Sequence, residues 1–215
     1  MTEPVPQKNV LAVLRKLSKE YPDHRTELTF EGNFQLMVAV ILSAQCTDAQ
    51  VNRATPGLFA EFPTPEKMAE AKLSRVEALV KSCGFYRNKA KNIISASQDL
   101  MERFGGEVPA DLDDLVSLAG VGRKTASVVM NQAFDLPAIA VDTHVKRVSH
   151  RLGWSHHPSP EKIEFELRDL IPKKHWTSIN GLLILHGRTV CNARKPKCEI
   201  CSIRNYCRYY QSLNN

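Results

Sequence analysis

The sequence predicts an all-α protein, and three observations carry that prediction. Apolar residues recur at helical spacing with almost no strict alternation, capping side chains stand just ahead of those stretches, and glycines close them. Val10, Leu11, Val13, Leu14 and Leu17 share one face of a first helix. A second helix, capped by Asn33 and running through Ala44, is apolar nearly all round over residues 36–42 and so buried on most sides. Thr47-x-x-Gln50 and Ser74-x-x-Glu77 have the capping-box pattern that opens a helix. Thr64-Pro65 and Ser159-Pro160 each set a capping residue before a proline at the first helical position. Gly84, Gly105-Gly106 and Gly153 stand where apolar patterns end and stop the helices there. Ile93, Ile94, Ala96 and Leu100 mark a long helix over 88–104, and further helices fall at 112–118, 125–133 and 143–152. Roughly ten short helices result, joined by short loops without repeats or low-complexity linkers.

Charge narrows the partners. The net charge is +6, and residues 187–215 hold six basic residues against one acid, Glu199. Such a cluster suits a polyanion, whose condensed counterions are released as phosphates are neutralised; a solvated tail has the same composition. No apolar run approaches the 18 or so residues of a membrane span, and the first eight residues lack the apolar core of a secretory signal. The expectation is an intracellular protein with reduced thiols. Four of its six cysteines crowd into the last 25 residues, which in a reducing compartment points to metal.

Two segments carry the chemistry. In Leu118-Ala-Gly-Val-Gly-Arg-Lys-Thr-Ala126, one helix runs into Gly120-Val121-Gly122 and another follows. Two glycines around one apolar residue permit a tight turn and close approach of backbone to a ligand. The N–H groups that open the second helix, with the positive end of its macrodipole behind them, suit a phosphate of any sequence. Lys124 stands in that first turn, against the dipole, where stability alone would not place a lysine. The same potential favours the neutral amine that a nucleophile needs, although a solvated surface lysine satisfies the local pattern too. Asp142, after the apolar run Ala-Ile-Ala-Val, is a helix cap by position. A cap has fixed geometry, so the same carboxylate could steady a cationic sugar. The other segment is Cys191-x6-Cys198-x2-Cys201-x5-Cys207, four thiols in 17 residues interleaved with basic side chains. It suits zinc or an iron–sulfur cluster. Cys46 and Cys83, in apolar surroundings, read as core residues.

The glycine turn with its lysine, the aspartate some twenty residues on and the C-x6-C-x2-C-x5-C tail together resemble the endonuclease III family, and the likeness extends back to Leu28-Thr-Phe and Leu42-Ser-Ala-Gln-Cys-Thr-Asp48. This resemblance implies a two-lobed helical fold: residues 26–136 as a bundle with a helix–hairpin–helix at about 112–126, and residues 1–25 and 137–215 as a discontinuous lobe with a [4Fe–4S] cluster loop at 191–207. The DNA cleft would lie between them. It implies that Cys191, Cys198, Cys201 and Cys207 are the cluster ligands, that Lys124 is the nucleophile and that Asp142 is its carboxylate partner. DNA contacts would come from Gln45, which fills the gap left by a flipped nucleotide, from the wedge Phe85, from Gly120, Val121, Gly122, Arg123 and Thr125 of the hairpin, and from Arg194, Lys195 and Lys197. Asp48 and His144 match residues near the substrate pocket. The implied function is base-excision repair of damaged double-stranded DNA, releasing oxidised pyrimidines and cleaving abasic sites through a Lys124 Schiff base. A monomer is expected because no exposed apolar helix suggests a dimer seam, and the expected location is the cytoplasm or nucleoid.

Two positions depart from the family pattern. Ala119 replaces a common proline, which loosens the turn but leaves every backbone donor, and Phe85 stands where leucine is frequent, keeping a wedge that can also stack on bases. Rival readings on the same scaffold are a mismatch adenine glycosylase, disfavoured by Lys124 and by a length of 215 residues, and a pyrimidine-dimer glycosylase. A non-catalytic, metal-stabilised DNA-binding module would leave Lys124 and Asp142 as coincidences.

Overall fold

A computed structural model describes residues 4–24 and 26–213. Met1–Glu3, Arg25, Asn214 and Asn215 lie outside them, and with them both ends of the expected segment 1–25 and the last two residues of 137–215. The described residues contain α-helices and short 3₁₀ turns, and no strand. No helix among them is long and apolar enough to cross a membrane. The chain divides into two compact units, Thr26–Leu136 and the pair Met1–Arg25 with Pro137–Asn215.

The first helix, α1 (Gln7–Glu20), belongs to the discontinuous unit and buries Val10, Val13, Leu14 and Leu17. The contiguous unit follows with α2 (Gly32–Ser43), α3 (Asp48–Glu61), α4 (Pro65–Ala69), α5 (Leu73–Leu79), α6 (Tyr86–Phe104), α7 (Leu112–Ser117) and α8 (Arg123–Phe134). α2 is its centre. Every residue from Leu36 to Leu42 is buried, and the helix packs against α3, α6 and α8. An apolar surface on all sides demands neighbours on all sides, because each exposed apolar Å² costs roughly 25 cal/mol. α6 is the long helix; it sets Ala90, Ile93, Ala96 and Leu100 inward and covers α4 and α5.

The discontinuous unit continues with α9 (Thr143–Leu152), α10 (Pro160–Leu170), α11 (Trp176–Thr189) and α12 (Arg208–Leu213). α11 packs against both α1 and α9, so its buried Ile179, Leu182 and Leu183 join the N-terminal helix to the later residues in one core.

Several helix starts differ from their sequence reading. α2 begins one residue before Asn33, after an extended Glu31 whose N–H is accepted by Gln35 at 2.9 Å, so the helix is entered without Asn33 as its cap. α5 begins at Leu73 after Lys72, which puts Ser74 inside the helix rather than at its boundary. Ser159 does precede Pro160 at the start of α10, but its side chain makes no capping bond. Thr47 and Thr64 cap as expected, accepting from the N–H groups of Gln50 and Lys67 at 3.3 Å each. Gly105 and Gly153 close α6 and α9 with left-handed backbone, whereas Gly84 lies in the turn between α5 and α6.

Candidate functional site

The glycine turn is built from both sides. Asp111 opens α7 by accepting from the N–H groups of Asp113 and Asp114 at 2.9 and 3.1 Å. Buried Leu118 and Val121 then pin the turn to the core, closed by a 3.1 Å bond from Val121 N–H to the Leu118 carbonyl. Gly120 between them is left-handed (φ 77°), and a Cβ there would stand 2.8 Å from Cβ of Asn92 on α6. Both conformation and space call for glycine. Gly122, extended and exposed, is the N-cap of α8 and has no side chain with which to satisfy the helix's first N–H groups. A helix opened by a glycine cap can offer its first N–H groups to an outside acceptor, and an anion suits them best. Lys124 is the second residue of α8 and is exposed, while Ala126, two residues on, is fully buried.

Two exposed side chains of the same unit share an unusual backbone. Gln45, after α2, and Phe85, before α6, are both left-handed, with φ of 53° and 56°, and Phe85 is 67% exposed. Left-handed backbone costs a non-glycine residue roughly 1–2 kcal/mol, so it is retained only where surroundings impose it. Their turns adjoin: a Cβ on Gly84 would lie 3.6 Å from the Gln45 carbonyl oxygen. Beneath them the buried Lys89 reaches back to α2, its Nζ donating to the Leu42 carbonyl at 2.8 Å. Burial holds that ammonium below the usual lysine range. Asp48, half-buried, opens α3 behind the Thr47 cap.

In the discontinuous unit, Asp142 caps α9. Its Oδ1 accepts from Val145 N–H at 2.7 Å, which fixes the carboxylate's orientation. His144 follows on the first turn. The Arg147 guanidinium lies 3.0 Å from its Nδ1, and because arginine only donates, that nitrogen must accept and the ring is neutral. Burial is the main force lowering the His144 pKa; Asp142 opposes it, and Arg147 and Arg188 add to it. Arg147 also donates to the carbonyls of Gly187 at 2.9 Å and Cys191 at 3.1 Å, so one side chain spans from the neighbour of Asp142 to the first cysteine of the tail.

The four cysteines surround one pocket, with about 370 Å³ of empty space open to solvent. Side-chain nitrogens of Arg151 and His186 face their sulfurs. Arg151 Nη1 donates to Cys191 Sγ at 3.2 Å and Asn192 O at 2.7 Å, and its Nη2 donates to Ala193 O at 2.9 Å. His186, buried, lies with Nε2 3.6 Å from Cys201 Sγ. Burial pushes the Cys201 thiol up to about 11, and it raises Cys198 and Cys207 as well; in each, neighbouring cysteines push the same way. Thiols held protonated in this way need a cationic centre to become thiolates. Zinc would need sulfurs about 2.3 Å from one point. Among the described residues, no three His, Cys, Asp or Glu side chains converge on a single ion. Sulfurs spread around one pocket fit an iron–sulfur cluster, in which four cysteines ligate separate corners. Arg194, Lys195 and Lys197, between the first two cysteines, are all exposed.

The sequence reading missed Lys89, Arg147, Arg151 and His186. Leu42, Cys191 and Cys201, which they bond or face, lie 15 to 47 residues from them, and no local spacing announces such pairs.

The comparisons agree with this geometry. Residues 38–173 match a family model described as the HhH-GPD superfamily base excision DNA repair protein, and residues 191–207 match one for the iron–sulfur binding domain of endonuclease III. The chain is 48% identical to the endonuclease III of Rickettsia conorii over 91% of its own length and 93% of the relative's. With that of Escherichia coli K12 it shares 43% identity over 95% and 97%. A solved structure of a trapped endonuclease III–DNA covalent intermediate, in an estranged-adenine complex, superposes with a TM-score of 0.91 at 42% identity, covering 98% of this chain and 99% of that one.

Proposed function

The chain belongs to the endonuclease III family, a base-excision DNA glycosylase with AP lyase activity and a [4Fe–4S] cluster, and from that premise we propose how its own residues divide the work. Lys124 is the nucleophile and Asp142 its carboxylate partner. The hairpin N–H groups of Gly120, Val121 and Gly122, with Arg123 and Thr125, hold a phosphate. Arg194, Lys195 and Lys197 hold others. Gln45 and Phe85 enter the base stack, where flipping is easiest at a poorly stacked, oxidised pyrimidine. Asp48 and His144 line the substrate pocket.

The chemistry then follows from the side chains. The Lys124 amine, having lost a proton, attacks C1′ of the deoxyribose as the N-glycosidic electron pair leaves with the base. The fixed Asp142 carboxylate stabilises positive charge on the sugar ring as that bond stretches. Ring opening yields an imine to Lys124. Loss of a C2′ proton then expels the 3′ phosphate oxygen with the C3′–O electron pair, nicking the strand. The cluster, held by Cys191, Cys198, Cys201 and Cys207, supplies a rigid cross-link of the basic loop and no bond-breaking. DNA as substrate also motivates the remaining expectations, a monomer acting inside the cell at the nucleoid.

The observation that carries this reading is Lys124 standing exposed in the first turn of a helix whose N-cap is a glycine. Borohydride reduction on a duplex carrying thymine glycol, with Lys124→Gln beside the wild type, tests it. A covalent protein–DNA band is expected from the wild type alone, with the variant still binding duplex. An abasic-site duplex separates a wrong lesion from a wrong nucleophile: a variant that traps there as well as the wild type removes Lys124 from the role.

A further inference from the structure

Asp142 is reached through a non-helical segment, Ala138 to Val141, that runs straight into α9. All four of its residues are buried, and among the described residues there is no strand to lie beside them. Backbone outside a helix turns its N–H and C=O groups toward its neighbours, and in an apolar core each group needs a partner. One side chain of α11 serves two of them. Asn180 Oδ1 accepts from Ala140 N–H at 3.0 Å, and its Nδ2 donates to the Ala138 carbonyl at 3.4 Å. An N–H only donates and a carbonyl only accepts, so the two bonds together fix which way the amide faces. Asn180 is 8% exposed, and Ile179, Leu182 and Leu183 on the same helix are fully buried in the core that also takes Ile139 and Val141. A polar side chain set in such a core is costly unless it is bonded, and here both of its ends are.

We propose that Asn180 is a positioning residue for base release, acting through Asp142; this rests on the reading of Asp142 as the carboxylate partner of Lys124. Ala140 lies two residues before Asp142. Over so short a stretch, consecutive Cα atoms about 3.8 Å apart leave few dihedrals to absorb a shift, and displacement at Ala140 is passed on to Asp142. From the helix side, Val145 N–H holds the Asp142 carboxylate at 2.7 Å. The cap therefore sets where the side chain points, and Asn180 sets where its backbone stands. Misplacing a reacting group by about 1 Å costs roughly a hundredfold in rate. An apolar side chain at position 180 would leave Ala140 N–H without this acceptor, and the segment would have to move to find another. Asn180 does no chemistry of its own in this scheme.

Asn180→Leu removes both bonds at similar volume. Thymine glycol release is timed in a single turnover at saturating enzyme, beside duplex affinity, in holoproteins whose cluster absorption and circular dichroism match the wild type. The expected result is release at least tenfold slower with Kd within twofold of wild type. In an Asp142→Asn background the same substitution is expected to slow release no further, because the charge it positions is already gone. A leucine variant as fast as the wild type overturns the proposal. So does an equal loss in both backgrounds, which would make Asn180 a general support of the core. Asn180→Ser, whose hydroxyl is too short to reach both Ala138 and Ala140, is read in the same way if the leucine variant does not fold. Wild-type release by Asp142→Asn alone would remove Asp142 from its role and this one with it, whereas a slow Asp142→Asn beside a fast Asn180→Leu removes only the positioning role.

Discussion

Gly181 has no side chain because the backbone of another segment occupies its place: a Cβ there would stand 1.9 Å from the carbonyl oxygen of His24. Alanine normally favours a helix over glycine by about 1 kcal/mol, but here the obstacle is a backbone atom that cannot swing aside. Gly181→Ala is therefore expected to destabilise the protein by about 2 kcal/mol or more, read as a lower urea midpoint with unchanged slope. An unchanged midpoint would mean that the 21–24 segment yields without cost. Gly187 has a related duty, since a Cβ on it would meet His144 Nδ1 at 2.9 Å and Arg147 Nη2 at 3.1 Å. Arg151 shows how much one side chain can hold. Its contacts to Cys191, Asn192 and Ala193 and its stacking 4.8 Å over the Tyr209 ring brace the cysteine loop against α9 and α12.

Asp142 at the start of α9 caps its helix and is proposed to act on the sugar, and substitution lets the two roles be separated. Asparagine caps a helix about as well as aspartate, so Asp142→Asn is expected to stay within about 0.5 kcal/mol of wild-type stability. The lost charge should still slow base release by about a hundredfold or more. Asp142→Ala should lose that activity and about 1 kcal/mol of stability besides. Paired urea melts and single-turnover excision rates decide the matter; wild-type turnover in the asparagine variant would leave Asp142 a cap and nothing else. Among the helices, those with a strong local signature were legible. The all-apolar run of α2 and the threonine caps at Thr47 and Thr64 stand where the sequence put them. Asn33 and Ser74 misled because capping residues also occur inside helices, and the winning start depends on backbone partners such as the Gln35 side chain reaching Glu31 N–H.

For the molecule as a whole, histidines set a pH dependence. His144 and His175 both titrate below the ordinary 6.5, each mainly through burial. The unfolded chain therefore binds more protons than the folded one as pH drops below about 6.5, and stability present above that value is lost toward the folded pKa values. Urea midpoints are expected to hold level from pH 8 to 7 and to fall between pH 6.5 and 5.5, with a shallower fall in His144→Gln. A midpoint that rises on acidification would reverse the sign of this argument. The sequence on its own sufficed for the helical class, the glycine turn with Lys124, the cap at Asp142 and the four-cysteine loop. Each is written in residues close along the chain, where helical period, turn chemistry and ligand spacing act directly. Packing alone created the contacts between Lys89 and Leu42, 47 residues apart, and between Arg151 and Cys191, 40 apart. The fit of Gly181 against His24 arose in the same way. Such pairs have no local code. They exist only once burial of apolar helix faces has brought distant segments together, and it is then that a buried lysine finds a carbonyl and a thiol finds its partner.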